Sequence, residues 1–520
     1  MDTKNKIARS AGIVSVIAMI GKVIGYLCNI VIAALFGASA LTDAYVIGFT
    51  IPRFFLNVLG GGSLNAAFVP VFKTYMGNDE KREAWDLAID VLNIIFIIVA
   101  FLSIIGILVA PLLVSLFAPG FEKDTALLAT KITRIIFPSL IFFCLASIVK
   151  AILQAQHRFA IPSLTPIALN LSIVLSAFFL SRYIGVISLA VGVVLGGIAQ
   201  LSIQWPLLVR VGMRYRFSIR YHPGIKKILL LFIPLLGGVV VSRLNRLVAR
   251  ILASLLEEGS VAALNFADLI SQIPVTIFGI SLATVVFPNL VEKAVGEDLA
   301  RFKNTFLKSL RMIFFIALPI SIGMIILRMP LIKILFERGE FTHQDTIMTA
   351  TALMYFAIGS VALASVHILL RGFYALKDTK TPVVIGVIAL VGNIIFNLIL
   401  IRFMGLGGLA LGTSLAAILR VLLLTSSLNK RLNGMNIRYL FSGLSRILLC
   451  SLIMGCICYV LYNSTGILFK STTFLNNVIQ LSIITLLCII SYLGLCKAFR
   501  VEEVGYFIQL VRSKIGKKIG

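Results

Sequence analysis

An all-α polytopic membrane protein is the fold class that this sequence predicts, and three observations support it. Of the 520 residues, 59% are hydrophobic and only 13% are charged, whereas soluble domains carry roughly 25% charged residues. Mean hydropathy is +1.04. Apolar runs of about 20 residues, long enough for a helix to cross a bilayer, recur along the whole chain. We therefore expect a bundle of helices that satisfy their own backbone hydrogen bonds in lipid.

Hydropathy predicts about 14 transmembrane helices. Their approximate limits are 12–36, 43–72, 87–117, 125–153, 160–181, 185–209, 228–256, 261–291, 305–327, 346–370, 382–401, 407–428, 441–463 and 474–496. The first run is too long for a cleavable signal peptide and leads into further spans. All seven cysteines lie in or at the ends of spans, so we interpret them as small hydrophobes and expect neither disulfides nor a metal site.

Basic residues predict the orientation of the chain. With a cytoplasmic N-terminus, 32 Lys and Arg residues fall in or beside the inner loops and the two termini, against 7 on the outer side. This asymmetry predicts that both termini are cytoplasmic. It also accounts for most of the formal charge of +26, so we expect no nucleic-acid partner, which would need a solvated basic face on a soluble fold.

An internal duplication at an offset near 220 residues predicts two lobes. GVISLAVG (185–192) matches GLGGLALG (405–412), and QAQHRFAIP (154–162) matches YALKDTKTP (374–382). Each repeat holds six spans, an even number, so the lobes should be parallel repeats, as in transporters with a substrate path between them. The predicted domains are an N-lobe (1–212, spans 1–6), a basic cytoplasmic linker (213–227), a C-lobe (228–432, spans 7–12) and an accessory region (433–520) with spans 13 and 14 and a basic cytoplasmic tail.

Eight basic residues fall within or at the edges of spans. They are Lys22, Arg53, Lys131, Arg134, Arg243, Arg246, Arg250 and Arg420. At 100° per residue, the three arginines of VVVSRLNRLVAR (239–250) share one helical stripe about 60° wide. Each arginine near the bilayer centre costs roughly 2.5–3.5 kcal/mol, and the membrane acids are too few to pair with all three. The arginine stripe (Arg243, Arg246, Arg250) is therefore expected to face a wet cavity.

The duplication places spans 1, 2, 7 and 8 in equivalent positions, so we expect Lys22, Arg53 and the arginine stripe to surround one cationic cavity. Such a cavity selects an anion, and phosphate groups suit the planar donor fork of arginine. Four polar side chains of the same spans are expected to line or gate it: Asn29, Asp43, Asp268 and Gln272. The chain has no HExxH or GxSxG motif and no grouped carboxylates, so we expect a transporter without a cofactor and not an enzyme.

Six segments resemble the MurJ/MviN family of lipid II flippases, within the multidrug/oligosaccharidyl-lipid/polysaccharide (MOP) exporter superfamily. They are FGASALTDAYVIGF (36–49) followed by Pro52, GSLNAAFVP (62–70), QHRFAIPSLTPIALN (156–170), NFADLISQIP (265–274), LFERGEFT (335–342) and RGFYALKDTKTP (371–382). The resemblance covers the first twelve spans. It implies alternating access for an undecaprenyl-diphosphate-linked peptidoglycan precursor in the bacterial cytoplasmic membrane, with possible contact to the cell-wall synthesis machinery.

The sequence departs from this family at three cavity positions. Arginines that are common in the family are replaced by Cys28, Leu56 and Leu269, so we expect the arginine stripe to supply the missing charge. Some members are thought to couple transport to sodium or to membrane potential. The resemblance suggests oxygen ligands at Asn393, Asn397 and Thr413, although span 7 has no acidic residue between 235 and 256.

Other functions remain open at this point. A flippase for another undecaprenyl-diphosphate-linked unit, of the O-antigen or capsule type, would use the same cavity chemistry. A multidrug exporter is less favoured because it needs acids in the cavity. A membrane glycosyltransferase or phosphatase would need catalytic carboxylates or a metal.

Overall fold

The computed structural model describes residues 2–60, 62–77, 81–217, 222–296, 298–468 and 474–505, and within these ranges the regular structure is helical. The helices are α1 (Asp2–Phe36), α2 (Ala40–Leu59), α3 (Gly62–Gly77), α4 (Lys81–Leu108), α5 (Ala110–Phe117), α6 (Lys123–Ile136), α7 (Ser139–Ala155), α8 (Ala160–Ser163), α9 (Thr165–Ile184), α10 (Ile187–Arg210), α11 (Pro223–Ala253), α12 (Ser260–Pro274), α13 (Ile280–Val295), α14 (Leu299–Ile326), α15 (Arg328–Phe336), α16 (His343–Ala375), α17 (Lys380–Arg431), α18 (Ile437–Leu468) and α19 (Phe474–Ala498). A π-helix, Val275–Gly279, joins α12 to α13. The all-α class is confirmed.

The number of spans depends on how bent helices are counted. Within the described ranges, eleven helical stretches are long and apolar enough to cross a membrane, or twelve if α6 and α7, bent by 44°, form one span. The predicted spans 382–401 and 407–428 both lie in α17, which Gly405 interrupts with a φ of 50°. The predicted span 228–256 corresponds to α11, which is not among the eleven. The count of fourteen stays a prediction.

Backbone geometry supports the duplication. His157 and Lys377, which are not glycines, have φ angles of 58° and 57°, and Gly185 and Gly405 have 57° and 50°. Both pairs are separated by the predicted offset of 220 residues. Left-handed backbone is rare outside glycine, so its recurrence at this spacing indicates the same turns in both repeats. The repeats differ after their matched prolines, because Pro52 lies inside a continuous α2 whereas Pro274 precedes the π-helix.

Contacts divide the chain into two compact units. The first unit comprises residues 1–262 and 338–342, and the second comprises 263–337 and 343–520. In this division α11 belongs to the first unit, where it packs on α2, α3, α4 and α5. The boundary expected at the linker 213–227 rests on the repeat and not on packing, and the predicted domains stay a prediction.

The first unit has an aromatic and aliphatic core between α3, α4, α7 and α10. Phe68 and Phe72 are fully buried and stacked, with ring centroids 5.4 Å apart, and Trp85 packs edge-on against Phe72 at 5.8 Å. Small residues let helices approach closely. A methyl group at Gly192 of α10 would lie 2.7 Å from the Ile173 Cα of α9, so this crossing requires glycine, as is common between membrane helices.

The second unit has a core between α13, α14, α16 and α17, and α18 and α19 add to it through α14. An ion pair fixes the chain after α19. Arg311 of α14 lies 2.5 Å (Nε) from Glu503 Oε1, and both side chains are 5% exposed. Its Nη2 donates to Glu503 Oε2 at 3.1 Å, and its Cζ lies 4.1 Å from the centre of the Tyr439 ring of α18. A methyl group at Gly443 would lie 2.4 Å from Nε, so glycine makes room for the guanidinium.

Candidate functional site

One arginine of the stripe has a described partner in the first unit. Arg250, near the end of α11, donates from Nη1 to the Thr50 hydroxyl of α2 at 2.5 Å. Thr50 in turn donates to the Val46 carbonyl. Arg53 lies one turn after Thr50, exposed, with its Cζ 5.3 Å from the Phe49 ring. The structure therefore brings Arg250 to the segment of α2 that carries Arg53.

The other stripe residues are known only by their backbone. Arg243 and Arg246 lie on α11, but their side chains are outside the described part of the structure, so their predicted cavity role stays a prediction. Lys22 is exposed on α1, and Asn29, seven residues later on nearly the same face, donates to the Gly25 carbonyl at 2.8 Å. The roles proposed for Lys22 and Asn29 also stay predictions.

Asp43 is a buried helix cap. Its side chain is 3% exposed, and its two carboxylate oxygens accept from the Gly259 N–H at 2.8 Å and the Ala262 N–H at 2.7 Å. These groups are free donors at the start of α12, where a carboxylate also complements the helix dipole. The geometry gives Asp43 a helix-capping contact, which sequence reasoning listed only as polar or gating.

A second contact of the first unit involves the loop 338–342, part of the motif LFERGEFT. The Glu340 N–H donates to the Ala34 carbonyl of α1 at 2.9 Å. Gly339 has a φ of 61°, and a methyl group there would lie 2.1 Å from the same carbonyl. Sequence reasoning missed this contact because the two segments are about 300 residues apart; the glycine inside the motif was the available signal.

In the second unit, two of the predicted polar residues are brought together. Gln272 donates from Nε2 to Asp268 Oδ1 at 3.3 Å, one turn apart on α12. The departure at Leu269 leaves this pair without the arginine that is common in the family. Whether the pair lines or gates a cavity stays a prediction.

The predicted ion ligands form one buried cluster. Asn393 and Asn397 are fully buried, and Asn397 Nδ2 donates to Asn393 Oδ1 at 3.1 Å. Asn393 Nδ2 lies 3.5 Å from the Thr413 hydroxyl. Asn397 Oδ1 has no hydrogen-bond partner, and a methyl group at Gly412 would lie 2.2 Å from it. The cluster offers amide and hydroxyl oxygens, and none of these three side chains is a carboxylate.

The motif KDTKTP forms an ordered turn between α16 and α17. Asp378 accepts from the Thr381 N–H at 3.0 Å and from the Thr381 hydroxyl at 2.8 Å, and it pairs with Arg431 at the end of α17. Burial alone would raise the pKa of Asp378, but these hydrogen bonds and the Arg431 charge outweigh it and hold the pKa below its ordinary value. This turn is a structural device that links both ends of α17.

Comparison with known proteins decides the family. The family model described as "Lipid II flippase MurJ" matches residues 32–480. The chain belongs to the lipid II flippase MurJ family. The resemblance inferred from the six segments is confirmed, and with it a multi-pass protein of the inner membrane.

Relatives match over most of their length. The chain is 34% identical over 436 residues to a probable lipid II flippase MurJ of Vibrio cholerae, covering 82% of this chain and 83% of that protein. It is 32% identical over 430 residues to the lipid II flippase MurJ of Burkholderia cenocepacia, covering 80% and 83%.

Solved structures agree on the fold. A lipid II flippase MurJ in an inward closed conformation matches with a TM-score of 0.78 and 29% identity, covering 94% of this chain and 98% of that one. An inward-facing multidrug transporter of the MATE family, in the MOP superfamily, matches with a TM-score of 0.69 at 15% identity, over 81% and 98%. The second match shows the shared fold alone.

Proposed function

We propose that this protein translocates lipid II, the lipid-linked peptidoglycan precursor, from the inner to the outer leaflet by alternating access. The observation that carries the proposal is the family match across residues 32–480, which includes every span of the duplicated core. In this proposal the protein moves its substrate without making or breaking a covalent bond and therefore acts as a transporter.

Cationic side chains of the first unit are proposed to hold the diphosphate. Arg250 is bound to Thr50, one turn from Arg53, which supports a basic surface where α2 and α11 meet. Arginine presents a fork of donors that matches phosphate oxygens. In this proposal Lys22, Arg243 and Arg246 add further charge, offsetting the neutral residues at positions 28, 56 and 269.

Membrane potential is the proposed driving force. Amide oxygens without a carboxylate give the cluster of Asn393, Asn397 and Thr413 no net charge, and hard cations such as sodium favour anionic oxygen ligands. If sodium binds here, the unsatisfied Asn397 Oδ1 is the oxygen that we expect to contact it. The negative charge of a diphosphate is repelled from a negative cytoplasm, which favours outward movement.

The predicted orientation and partners complete the proposal. Both termini would lie in the cytoplasm, as the distribution of basic residues favours, and the substrate would enter from the inner leaflet. Delivery of lipid II to the outer leaflet would place the protein beside the enzymes that polymerise the cell wall.

Complementation tests the function. The full chain is expressed in cells whose own lipid II flippase can be depleted, and growth and the exposure of lipid II at the outer surface are measured. Rescue with lipid II exposure is expected. Good membrane expression without rescue would contradict the proposal, and rescue only of cells lacking a flippase for O-antigen or capsule units would assign a different undecaprenyl-linked substrate.

Charge in the first unit is tested in the same cells. Arg243→Ala and Arg246→Ala are expected to abolish rescue, whereas Arg250→Ala should weaken it, because Arg250 lies at the end of α11 and already has a partner. Arg158→Ala, at an exposed arginine outside the proposed site, is the control. Normal growth of both the Arg243 and Arg246 variants would show that the stripe is structural.

A further inference from the structure

A second group of basic side chains lies in the second unit. Arg420 was singled out as an intramembrane charge, and the proposed function gives it no role. His367 and Arg371 lie four residues apart on α16, so they share one helical face. All three side chains are partly buried.

Close helix contacts place Arg420 beside this face. A methyl group at Gly359 of α16 would lie 2.6 Å from Ser414 Cα of α17, and one at Gly372 would lie 3.3 Å from Leu428 Cδ2. These contacts pair residues 55 or 56 apart, so α16 and the second half of α17 run parallel. Arg420 is therefore level with residues 364 and 365, about one turn from His367.

Other elements enclose the group. The Arg371 guanidinium lies over the Phe287 ring of α13, with 4.9 Å between Cζ and the ring centre. Arg420 Nη2 would be 3.7 Å from a methyl group at Gly386, in the first half of α17. We call His367, Arg371 and Arg420 the C-unit basic cluster.

The cluster has no acidic partner among the residues that the structure describes. The carboxylates with ion pairs in this unit bind elsewhere: Asp298 pairs with Arg301, Glu337 with Lys333 and His343, Asp378 with Arg431, and Glu502 and Glu503 with Arg311. Arg420 Nε is buried and has no hydrogen-bond partner. Buried basic groups without counter-charges in a membrane protein mark substrate or ion pathways.

We propose that the C-unit basic cluster is an anion site for the diphosphate of the lipid-linked substrate, in addition to the arginine stripe. Two guanidinium forks and an imidazole can donate to several phosphate oxygens at once. This inference rests on the proposed function, because it takes the same substrate and assigns it further binding residues.

Depth favours the transported diphosphate over a bulk phospholipid, although both present phosphate oxygens. Arg371 lies four residues before the end of α16 and Arg420 eleven before the end of α17, about 6 and 16 Å inside the helix ends. The polar headgroup layer is only about 5–7 Å thick on each side. A phosphate that reaches Arg420 must therefore be carried into the protein.

Binding measurements on the purified full chain test the site. The probes are farnesyl diphosphate, farnesol and dioleoyl phosphatidylglycerol, and the variants are Arg371→Gln, Arg420→Gln and the double variant. Each single variant should weaken farnesyl diphosphate binding by roughly tenfold or more, the effect of losing a charge-assisted hydrogen bond. Farnesol and phosphatidylglycerol should bind as they do to the unmodified chain. Arg402→Gln, at an exposed arginine of α17 near Gly405, is the matched control.

Two results would overturn the site. One is a double variant that binds farnesyl diphosphate within about twofold of the unmodified chain; the other is a loss confined to phosphatidylglycerol, which would make the ligand a membrane lipid. If the glutamine variants fail to fold, Arg371→Lys and Arg420→Lys keep the charge but not the fork, and unchanged affinity in both would equally refute it. If the unmodified chain fails complementation, the proposed function fails; if it succeeds and only the cluster variants are neutral, this inference alone fails.

Discussion

Arg311→Met should lower the free energy of unfolding by about 3–5 kcal/mol, because removal of one partner leaves a buried charge uncompensated. Arg311 and Glu503 are each 5% exposed and make two close contacts, at 2.5 and 3.1 Å. Glu502, 3.6 Å from Arg311 Nη1 and 55% exposed, can return to water. Glu503 cannot, so it carries most of the loss.

A double-variant cycle isolates the pair. Glu503→Gln alone strands the arginine and should also destabilise, whereas Arg311→Met combined with Glu503→Gln removes both charges and should recover much of the loss. A coupling energy of about 2 kcal/mol or more is expected, within the range for contacting residues. The assay is equilibrium unfolding of the purified protein by dodecyl sulfate in mixed micelles.

An exposed arginine of the neighbouring helix is the control. Arg446→Met on α18 should change the free energy of unfolding by no more than about 0.5 kcal/mol. The reasoning is refuted if Arg311→Met costs less than about 1 kcal/mol, or if the two single effects simply add in the double variant.

Three further predictions concern other contacts. Asp43→Ala removes two hydrogen bonds from the start of α12 and should cost about 2–4 kcal/mol of unfolding free energy by the same assay; a loss below about 0.5 kcal/mol would contradict the capping role. Gly412→Ala should destabilise by about 1–3 kcal/mol, because its methyl group would collide with Asn397 Oδ1, and equal thermal stability would show that the cluster can shift. Asp378, whose pKa is lowered in the fold, stabilises above its unfolded pKa, and this contribution disappears as pH falls through the lower folded pKa. The stability gap between the unmodified chain and Asp378→Asn should therefore be largest at neutral pH and close below about pH 4; a gap that persists at pH 3 would count against the Arg431 pairing.

Much of the architecture follows from the sequence. Long apolar runs leave the backbone no alternative to helices in a membrane, so hydropathy located nearly every helix, and the repeat at 220 residues anticipated the matching turns at His157 and Lys377. Helix breaks were less visible. Hydropathy cannot see that α6 and α7 bend at Phe137 and Pro138, because a bend leaves the composition of a span unchanged.

The candidate sites show the same division. Sequence alone established the family, the stripe of Arg243, Arg246 and Arg250, and the polar residues Asn393 and Asn397, because residue type and helical period are local properties. Tertiary structure alone decided that Arg250 binds Thr50 and that Arg371 and Arg420 lie near each other on neighbouring helices. These pairings depend on how helices far apart in the chain pack and rotate, and in an apolar helix many faces satisfy the same pattern; only the close contacts made by residues such as Gly359 and Gly372 select one.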